Sequence, residues 1–281
     1  YRFIEEFTTQ ARECGVGVLV EVHSHYEKQV EIGRSVDLVY DFALPPLVLH
    51  ALYTGDGSVL ARWMDIRPGN AVTVLDTHDG IGVVDVGPEQ NTPPGVEPRP
   101  GLLTPEQVDQ LVEGIHDRSG GTSRLATGAA ASNVDLYQVN CTFYDALGRD
   151  DARYLAARAI QYFTPGIPQV YYVGALAGGN DVDLLKRTQV GRDINRHHYT
   201  GGELAEALER PVVRALLALS RFRNEHPAFD GELATTVDGS RLIMARRGAA
   251  VPDASATLEV DLATGAASIT WDGPAGAGRT G

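Results

Sequence analysis

The chain has 281 residues, of which 43% are hydrophobic, and a formal net charge of −13 at pH 7. A chain of this length can bury a large core, while its acidic balance argues against nucleic acid or an anionic membrane surface as a partner. Its two cysteines, Cys14 and Cys141, lie far apart, which indicates free thiols in a reducing compartment and favours a cytoplasmic location. No apolar run approaches the ~20 residues that a membrane span needs.

The first part of the chain alternates helix-like and strand-like patterns. Apolar residues at helical spacing predict a first helix within residues 2–14. The patterns that follow predict a strand over 15–24, a strand over 37–43, a helical region over 45–66 that is broken at 55–57, and a strand over 71–77. Continuous runs of Val, Leu and Ile are typical of parallel strands that are covered on both faces. The sequence therefore predicts an α/β fold.

The alternation of strands and helices is then interrupted. A proline-rich stretch, a helix from about Thr104 to Asp117 and a run of small residues predict an insertion. The alternation resumes as a helix over 142–164, a strand over 167–175 and a long helix over 202–225, and short alternating runs then predict antiparallel strands. We predict four parts: 1–80, the inserted subdomain 81–141, 142–228, and a small β domain over 229–281 whose tail from residue 272 is disordered.

Polar residues at the ends of the predicted strands distinguish two α/β architectures. Four strand–helix steps fit half of a (β/α)8 TIM barrel or part of an open, doubly wound sheet. Glu21 and His23 lie at the end of the first strand, Asp76 and His78 at the end of the third, and Arg192 in the loop after the fourth. In (β/α)8 barrels, reactive side chains gather where the strands end. Because the nucleotide-binding motifs G-x-G-x-x-G and G-x-x-x-x-G-K-[ST] are absent, the barrel is favoured.

The stretch AVTVLDTHDGIG (71–82) ends an apolar strand in a group of polar side chains. Asp79 followed by glycine is also a common turn, and Glu21 taken alone fits a salt-bridged strand end. Two carboxylates on separate strands are, however, what glycoside chemistry uses to protonate a leaving oxygen and to stabilise oxocarbenium charge. Considered together, Glu21 and Asp79 favour an enzyme.

Histidines raise the alternative of a metal site. His78 and the pair His197 and His198 lack the helical partner and the carboxylate arrangement of a zinc site. We therefore predict no metal and a hydrogen-bonding role for His78. The basic segment 186–199 lies beside the predicted barrel mouth and suits sugar hydroxyls or an anion.

Six segments carry a resemblance to a known family. They are VLVEVHSHY (18–26), VYDFALPPLVLHAL (39–52), AVTVLDTHDGIGV (71–83), ATGAAASNVDLYQVN (126–140), PQVYYVGALAG (168–178) and GRDINRHHY (191–199). In this order they resemble the glucoside phosphorylases of the α-amylase superfamily, glycoside hydrolase family 13, over residues 1–230. The resemblance implies a (β/α)8 TIM barrel of which only the C-terminal half is present, with an insertion after the strand 71–77 and a small C-terminal β domain.

The resemblance also implies an activity and its residues. The expected reaction is retaining glucosyl transfer by double displacement, from sucrose and phosphate to α-glucose 1-phosphate and fructose. Glu21 is implied as the general acid/base and Asp79 as the carboxylate that stabilises the transition state. The implied substrate contacts are His78 and Arg192 for the glucosyl unit and His23, Asp135, Tyr137 and Gln138 for the acceptor. No cofactor is implied, because phosphate is a substrate, and a homodimer is compatible with the resemblance.

The chain departs from the family pattern in one respect. The nucleophilic aspartate of the family belongs to a strand before the one that bears Glu21, so we expect it to lie upstream of residue 1 and this fragment to be inactive alone. Alternative substrates are sucrose 6'-phosphate, glucosylglycerate and glucosylglycerol, although SNVDLYQ (132–138) favours sucrose. A non-catalytic sugar-binding barrel is a further alternative, but it would have no reason to keep both Glu21 and Asp79.

Overall fold

A computed structural model describes residues 2–90, 92–93, 95–126, 138–274 and 276–280. Its first elements are α1 (Arg2–Glu13), β1 (Leu19–Val20), α2 (Tyr26–Gly33), β2 (Leu38–Asp41), α3 (Leu44–Thr54), α4 (Ser58–Ile66), β3 (Ala71–Thr73), β4 (Ile81–Gly82), α5 (Pro105–Arg118) and β5 (Gln138–Val139). They are followed by α6 (Phe143–Ala146), α7 (Asp151–Phe163), β6 (Ile167–Pro168), α8 (Tyr172–Ala175), α9 (Val182–Thr188), α10 (Gly201–Glu209), α11 (Pro211–Glu225), β7 (Glu232–Asp238), β8 (Arg241–Arg247), β9 (Ser255–Asp261), β10 (Ala267–Asp272) and β11 (Gly278–Thr280).

The four strands β1, β2, β3 and β6 form one parallel sheet in that order. Leu19 pairs with Leu38, Val39 pairs with Ala71, and Val72 pairs with Ile167. Neighbouring parallel strands are joined by helical crossovers, so every strand reaches the same edge of the sheet with its C-terminal end. The predicted α/β fold with a parallel sheet is confirmed, and residues that follow β1 and β3 are brought to one edge.

Strands β4 and β5 lie at the beginning and at the end of the segment that interrupts the alternation of strands and helices, and they pair with each other. Ile81 pairs with Val139 and Gly82 with Gln138 in an antiparallel ladder. Helix α5 lies between them in sequence and begins with a capping box, in which the Thr104 hydroxyl accepts from Gln107 N and the Gln107 side chain accepts from Thr104 N. This helix was predicted from about Thr104 to Asp117, and its observed bounds agree.

The C-terminal part is a five-stranded antiparallel sheet in the order β11-β10-β9-β8-β7. Alternate residues of β8 and β9 are buried, so one face of this sheet packs on the helices and the other is open to solvent. The disorder predicted for the tail is wrong for 278–280, because β11 pairs with β10 through Ile269, Thr270 and Trp271. Backbone hydrogen bonds to a preformed edge order a segment whose composition alone predicts flexibility.

Three predicted elements are wrong in their extent. The helix 142–164 is divided into α6 and α7, because Gly148 and Arg149 have positive φ angles of 70° and 57° and the Asp150 carboxylate then caps α7. The predicted helix 202–225 is interrupted at Arg210, whose ψ of 133° is the extended conformation favoured before proline. The predicted strand 167–175 ends at Pro168, and its second half forms the short helix α8.

The strands of the parallel sheet are shorter than predicted, and side chains bind to the backbone at and beyond their ends. Ser24 N donates to the side chain of Asp85 at 3.1 Å. The carbonyl of Thr73 accepts from Gln161 Nε2 at 2.9 Å as well as from Gln169 N at 2.9 Å. Asn195 Nδ2 likewise donates to the Thr77 carbonyl at 3.2 Å. The backbone after β1 and β3 is therefore fixed by side chains, where functional groups can be held in place.

Among the helices of the described ranges, none combines the length and the apolar character that a membrane span requires.

Candidate active site

Glu21, His23 and Asp79 come together at the C-terminal edge of the parallel sheet. Each offers a carboxylate oxygen or an imidazole nitrogen, and these three atoms lie within 4.8 Å of one another. Glu21 is exposed, whereas His23 and Asp79 are half-buried. Carboxyl groups at this spacing, beside an imidazole, can exchange protons with a bound substrate and stabilise positive charge on it.

Asp79 is held by two arginines and by its own backbone. Its Oδ1 lies 2.9 Å from Arg192 Nη1 and 3.5 Å from Arg196 Nη2. Asn195 Nδ2 donates to the Asp79 carbonyl at 2.8 Å, and the Asp79 N–H donates to Thr77 Oγ1 at 3.0 Å. The cations and the asparagine come from the segment around the short 3-10 helix Gly191–Asn195. The two guanidinium groups attract this carboxylate and hold it in place.

His78 extends from the same loop towards solvent. Its side chain is 62% exposed, and its Nε2 lies 3.5 Å from Asp79 Oδ1. The carbonyl of His78 accepts from Arg196 Nε at 2.7 Å. The backbone at His78 is therefore fixed, while its ring remains accessible to a ligand.

His23 is enclosed on three sides. Its Nδ1 lies 3.1 Å from Asp85 Oδ2 and its Nε2 lies 3.4 Å from Gln138 Nε2. Its ring stacks on Phe42, with 3.9 Å between centroids and 18° between planes. Burial lowers the pKa of His23, but the hydrogen bond and charge of Asp85, together with the charges of Glu21 and Asp79, outweigh burial and raise the pKa above its usual value.

A second buried network supports the end of β3. The Arg158 side chain has no exposed surface and pairs with Asp76 through Nη2 and Oδ2 at 2.5 Å. Arg158 also donates to Tyr154 Oη at 3.1 Å and to Gln161 Oε1 at 2.9 Å. Asp76 thus forms a buried ion pair with Arg158, which explains why a polar residue ends an apolar strand.

The structure brings most of the predicted site residues together. Glu21, His23, His78, Asp79, Arg192 and Gln138 all lie at this edge or contact one another there. Asp135 and Tyr137 lie outside the described residues. The sequence did not single out Asp85, which is fully buried at the end of the run IGVVD, or assign a role to Arg158. A lone aspartate among Val and Ile residues was the available signal, because burial of a carboxylate requires partners.

Glu21, His23 and Asp79 also form the group, among the described residues, whose donor atoms are near enough together to hold a metal ion. Two oxygens and one imidazole nitrogen are a donor set that a divalent cation accepts. Arg192 and Arg196 bring positive charge to the same carboxylate, which opposes a cation there. The absence of a metal, predicted from the sequence, therefore stays a prediction to be tested.

Comparison with known proteins identifies relatives of this chain. No protein-family model matches it. Sucrose phosphorylase of Agrobacterium vitis is 58% identical over 275 residues, which are 97% of this chain and 54% of the relative. The crystal structure of sucrose 6F-phosphate phosphorylase from Thermoanaerobacter thermosaccharolyticum is 37% identical, with a TM-score of 0.83, and the match covers 100% of this chain and 54% of that one. The chain spans about half the length of the curated relatives it matches.

A more distant structure bears on the fold alone. The crystal structure of α-amylase from H. orenii is 14% identical, with a TM-score of 0.59, over 93% of this chain and 46% of that one. The parallel sheet with its helices is thus half of a (β/α)8 TIM barrel, followed by the antiparallel C-terminal sheet. By sequence and by fold, the chain is homologous to the C-terminal part of the sucrose phosphorylases, over about half of their length.

Proposed function

We propose that the full-length protein transfers a glucosyl unit from sucrose to phosphate with retention of configuration, yielding α-glucose 1-phosphate and fructose. The observation that carries this proposal is the Glu21, His23 and Asp79 cluster, whose donor atoms lie within 4.8 Å of one another in a chain 58% identical to a sucrose phosphorylase. In a retaining reaction, the glycosidic bond is broken and a second bond is made at the same carbon by way of a covalent glucosyl intermediate.

We assign Glu21 as the general acid and base. It gives a proton to the fructose oxygen as the glycosidic bond breaks, and it takes a proton from the acceptor in the second step. Its exposed position beside the half-buried Asp79 supports this role, because the group that moves protons must reach both the departing and the arriving oxygen. The nucleophilic aspartate that the family resemblance implies is not one of the residues assigned here.

We assign Asp79 to charge stabilisation and His78 and Arg192 to the glucosyl unit. Arg192 lies 2.9 Å from Asp79 and holds the carboxylate, whose negative charge attracts an oxocarbenium-like transition state. The accessible ring of His78, which is 62% exposed, can donate to or accept from a sugar hydroxyl. His23 and Gln138 are assigned to the acceptor side, together with Asp135 and Tyr137.

Phosphate brings negative charge into a group of carboxylates, so the acceptor side must supply cationic or donor groups. His23, whose pKa is raised, supports this requirement. We propose that no metal or other cofactor takes part, because phosphate is itself a substrate. A cytoplasmic location, which the two free cysteines favour, and a homodimer belong to the same proposal.

The test is fructose release from sucrose by the full-length protein with and without inorganic phosphate, followed by the anomeric form of the glucose 1-phosphate. Phosphate-dependent release with the α-anomer as product supports the proposal, and release that does not depend on phosphate refutes it. Sucrose 6'-phosphate is assayed in parallel, because the solved relative at 37% identity is named for that substrate. A preference for the phosphorylated sugar would replace sucrose as the donor. Sedimentation of the same protein tests the dimer.

A further inference from the structure

Asp85 is a buried carboxylate whose contacts all converge on the segment that carries His23. Its side chain has no exposed surface. Its Oδ2 lies 3.1 Å from His23 Nδ1, and its Oδ1 accepts from Ser24 N at 3.1 Å and from Gln29 Nε2 at 2.8 Å. Burial raises the pKa of Asp85, while the hydrogen bond and charge of His23 and the hydrogen bond from Ser24 N lower it. Ser24 N and Gln29 Nε2 donate to Oδ1 whichever ring nitrogen of His23 carries the proton, and these donors favour the ionised form.

The hydrogen bonds around His23 identify which ring nitrogen carries the proton when the ring is neutral. A carboxylate without a proton accepts only, so His23 Nδ1 must be the donor towards Asp85. Gln138 gives the same answer independently. Its Oε1 accepts from Gly80 N at 3.2 Å, so its amide NH2 group faces His23 Nε2 at 3.4 Å, which must then accept. Both contacts place the proton on Nδ1.

The packing around this pair leaves little freedom for another arrangement. A Cβ atom at Gly82 would overlap Asp85 Oδ2 and would lie 3.3 Å from His23 Nδ1. Phe42 covers one face of the imidazole ring at 3.9 Å. His23 also lines a cavity of about 300 Å³ with Ser24, Lys28 and Glu89, which gives a ligand room beside the ring. The Asp85 carboxylate therefore lies at the Nδ1 side of the His23 ring, and the cavity adjoins the ring.

We propose that Asp85 is a positioning residue, which holds the proton on His23 Nδ1 and presents Nε2 to the acceptor substrate. This inference rests on the proposed function, since only that function assigns His23 to the acceptor. When phosphate is the acceptor, Nε2 takes a second proton from the solvent and gives up its hydrogen bond from Gln138, which produces an imidazolium whose charge Asp85 stabilises. A hydrogen bond between ionised partners is about twice as strong as one between neutral partners.

The variant Asp85→Asn tests the inference because the amide of asparagine accepts at its oxygen and donates at its nitrogen, whereas an ionised carboxylate accepts at both oxygens. Ser24 N and Gln29 Nε2 both donate, so the amide oxygen of the variant must face them and its NH2 group must face His23 Nδ1. That nitrogen then has to accept, which moves the proton to Nε2 and disfavours the imidazolium. We expect the KM for phosphate to rise at least tenfold and the KM for sucrose to change less than about twofold, because a sugar hydroxyl adapts to either tautomer.

Nitrogen NMR of the ¹⁵N-histidine-labelled full-length protein reads the tautomer directly, with the His23 signals assigned by their loss in His23→Gln. At a pH above the raised pKa of His23, where the ring is neutral, the wild-type protein is expected to carry the proton on Nδ1, and Asp85→Asn is expected to carry it on Nε2. The matched control is Asp145→Asn, which removes another carboxylate that is 5% exposed but is bonded to Arg149. The control should change neither the His23 signals nor the KM for phosphate.

The outcomes separate this inference from the proposed function. A wild-type protein with the His23 proton on Nε2 overturns the inference even if Asp85→Asn fails to fold, and so does a KM for phosphate that is unchanged in the folded variant. An equal rise in the KM for both substrates also overturns it. If the protein shows no phosphorolysis but the NMR result is as expected, the positioning of His23 by Asp85 stands and its assignment to phosphate is refuted.

Discussion

Arg192 Nη1 lies 2.9 Å from Oδ1 of Asp79, and Arg196 approaches the same oxygen from the other end of one 3-10 helix. The two cations come from residues 191–196, far along the chain from the loop that bears Asp79. A carboxylate that is fixed before the substrate arrives needs no reorganisation when positive charge develops next to it. Under the proposed function, the ion pair therefore prepares the site for the charge that develops in the transition state.

Asp79→Asn in the full-length protein should lower kcat for sucrose on the order of 10²–10³-fold with little change in KM, because the charge acts on the transition state. Steady-state kinetics at several sucrose concentrations measure both kcat and KM. Asp56→Asn is the control, since the Asp56 carboxylate accepts hydrogen bonds from Ser58 at the start of α4 and is not part of the Glu21, His23 and Asp79 cluster. An effect on KM alone would contradict the role assigned to Asp79.

Glu21→Gln should lower turnover on sucrose by ~10²–10⁴-fold, since leaving-group protonation is lost. The first step should be restored with α-glucosyl fluoride, whose leaving group needs little protonation. Stopped-flow measurement of fluoride release provides the comparison. Turnover of sucrose near the wild-type rate would exclude Glu21 as the acid.

Gly174→Ala should lower the free energy of unfolding by ~3–5 kcal/mol, because a Cβ atom there would overlap Asp76 Oδ2 and Arg158 Nη2 and would separate a buried ion pair. Urea denaturation followed by circular dichroism measures the change. Gly202→Ala in α10 is the control, because no atom lies within 4 Å of its added Cβ atom. That control should be neutral or should gain up to ~1 kcal/mol. Equal stability of the two variants would refute the packing argument.

The hydrogen bonds from Arg99 and Lys28 lower the pKa of Glu89 to about 2. Because the folded-state pKa lies below the unfolded value, the ion pairs stabilise the fold above about pH 4.5, and this contribution is lost as the pH falls towards 2. Glu89→Gln should therefore lower Tm at pH 7 and differ little from the wild type near pH 2. Calorimetry over that range tests the sign, and a difference that grows at low pH would be incompatible with it.

Dialysis of the full-length protein against EDTA should leave phosphorolysis unchanged, since neither proton transfer by Glu21 nor charge stabilisation by Asp79 requires a metal. Metal analysis of the dialysed sample is the control. A loss of activity that Zn²⁺ or Mg²⁺ restores would instead show that the Glu21, His23 and Asp79 cluster holds a cation.

The sequence alone predicted those elements that are determined by residues close together in the chain. The break between α3 and α4 was expected at 55–57, and Gly55 ends α3 there with a φ of 74°. The strand ends that bear Glu21 and Asp79 were also expected to meet, because parallel strands share an edge. The division between α6 and α7 was missed, because it depends on Arg149 in the left-handed region, which only Gly and few other residues favour.

The sequence did not predict those contacts of the site that join residues far apart in the chain. Asp85 is 62 residues from His23 in sequence, and no local spacing connects them. The same holds for Arg158 and Asp76, which are 82 residues apart. Buried charges need partners, but a single sequence does not say which ones. Asp85 and Arg158 therefore acquire meaning only once the strands are paired.

The short ladder between β4 and β5 has a consequence for how acceptor preference changes. Ile81 pairs with Val139 and Gly82 with Gln138, so both ends of the span 83–137 are fastened side by side. Each doubling of a flexible closed loop costs only about 0.6 kcal/mol, so changes of length are expected to be tolerated where the span does not pack on the core. Asp85 is one exception within it, and the others are the buried apolar residues Val83, Val86, Leu102, Leu103, Leu111 and Ile115. We therefore expect that a contiguous piece which keeps these residues can be exchanged while Glu21 and Asp79 remain where they are.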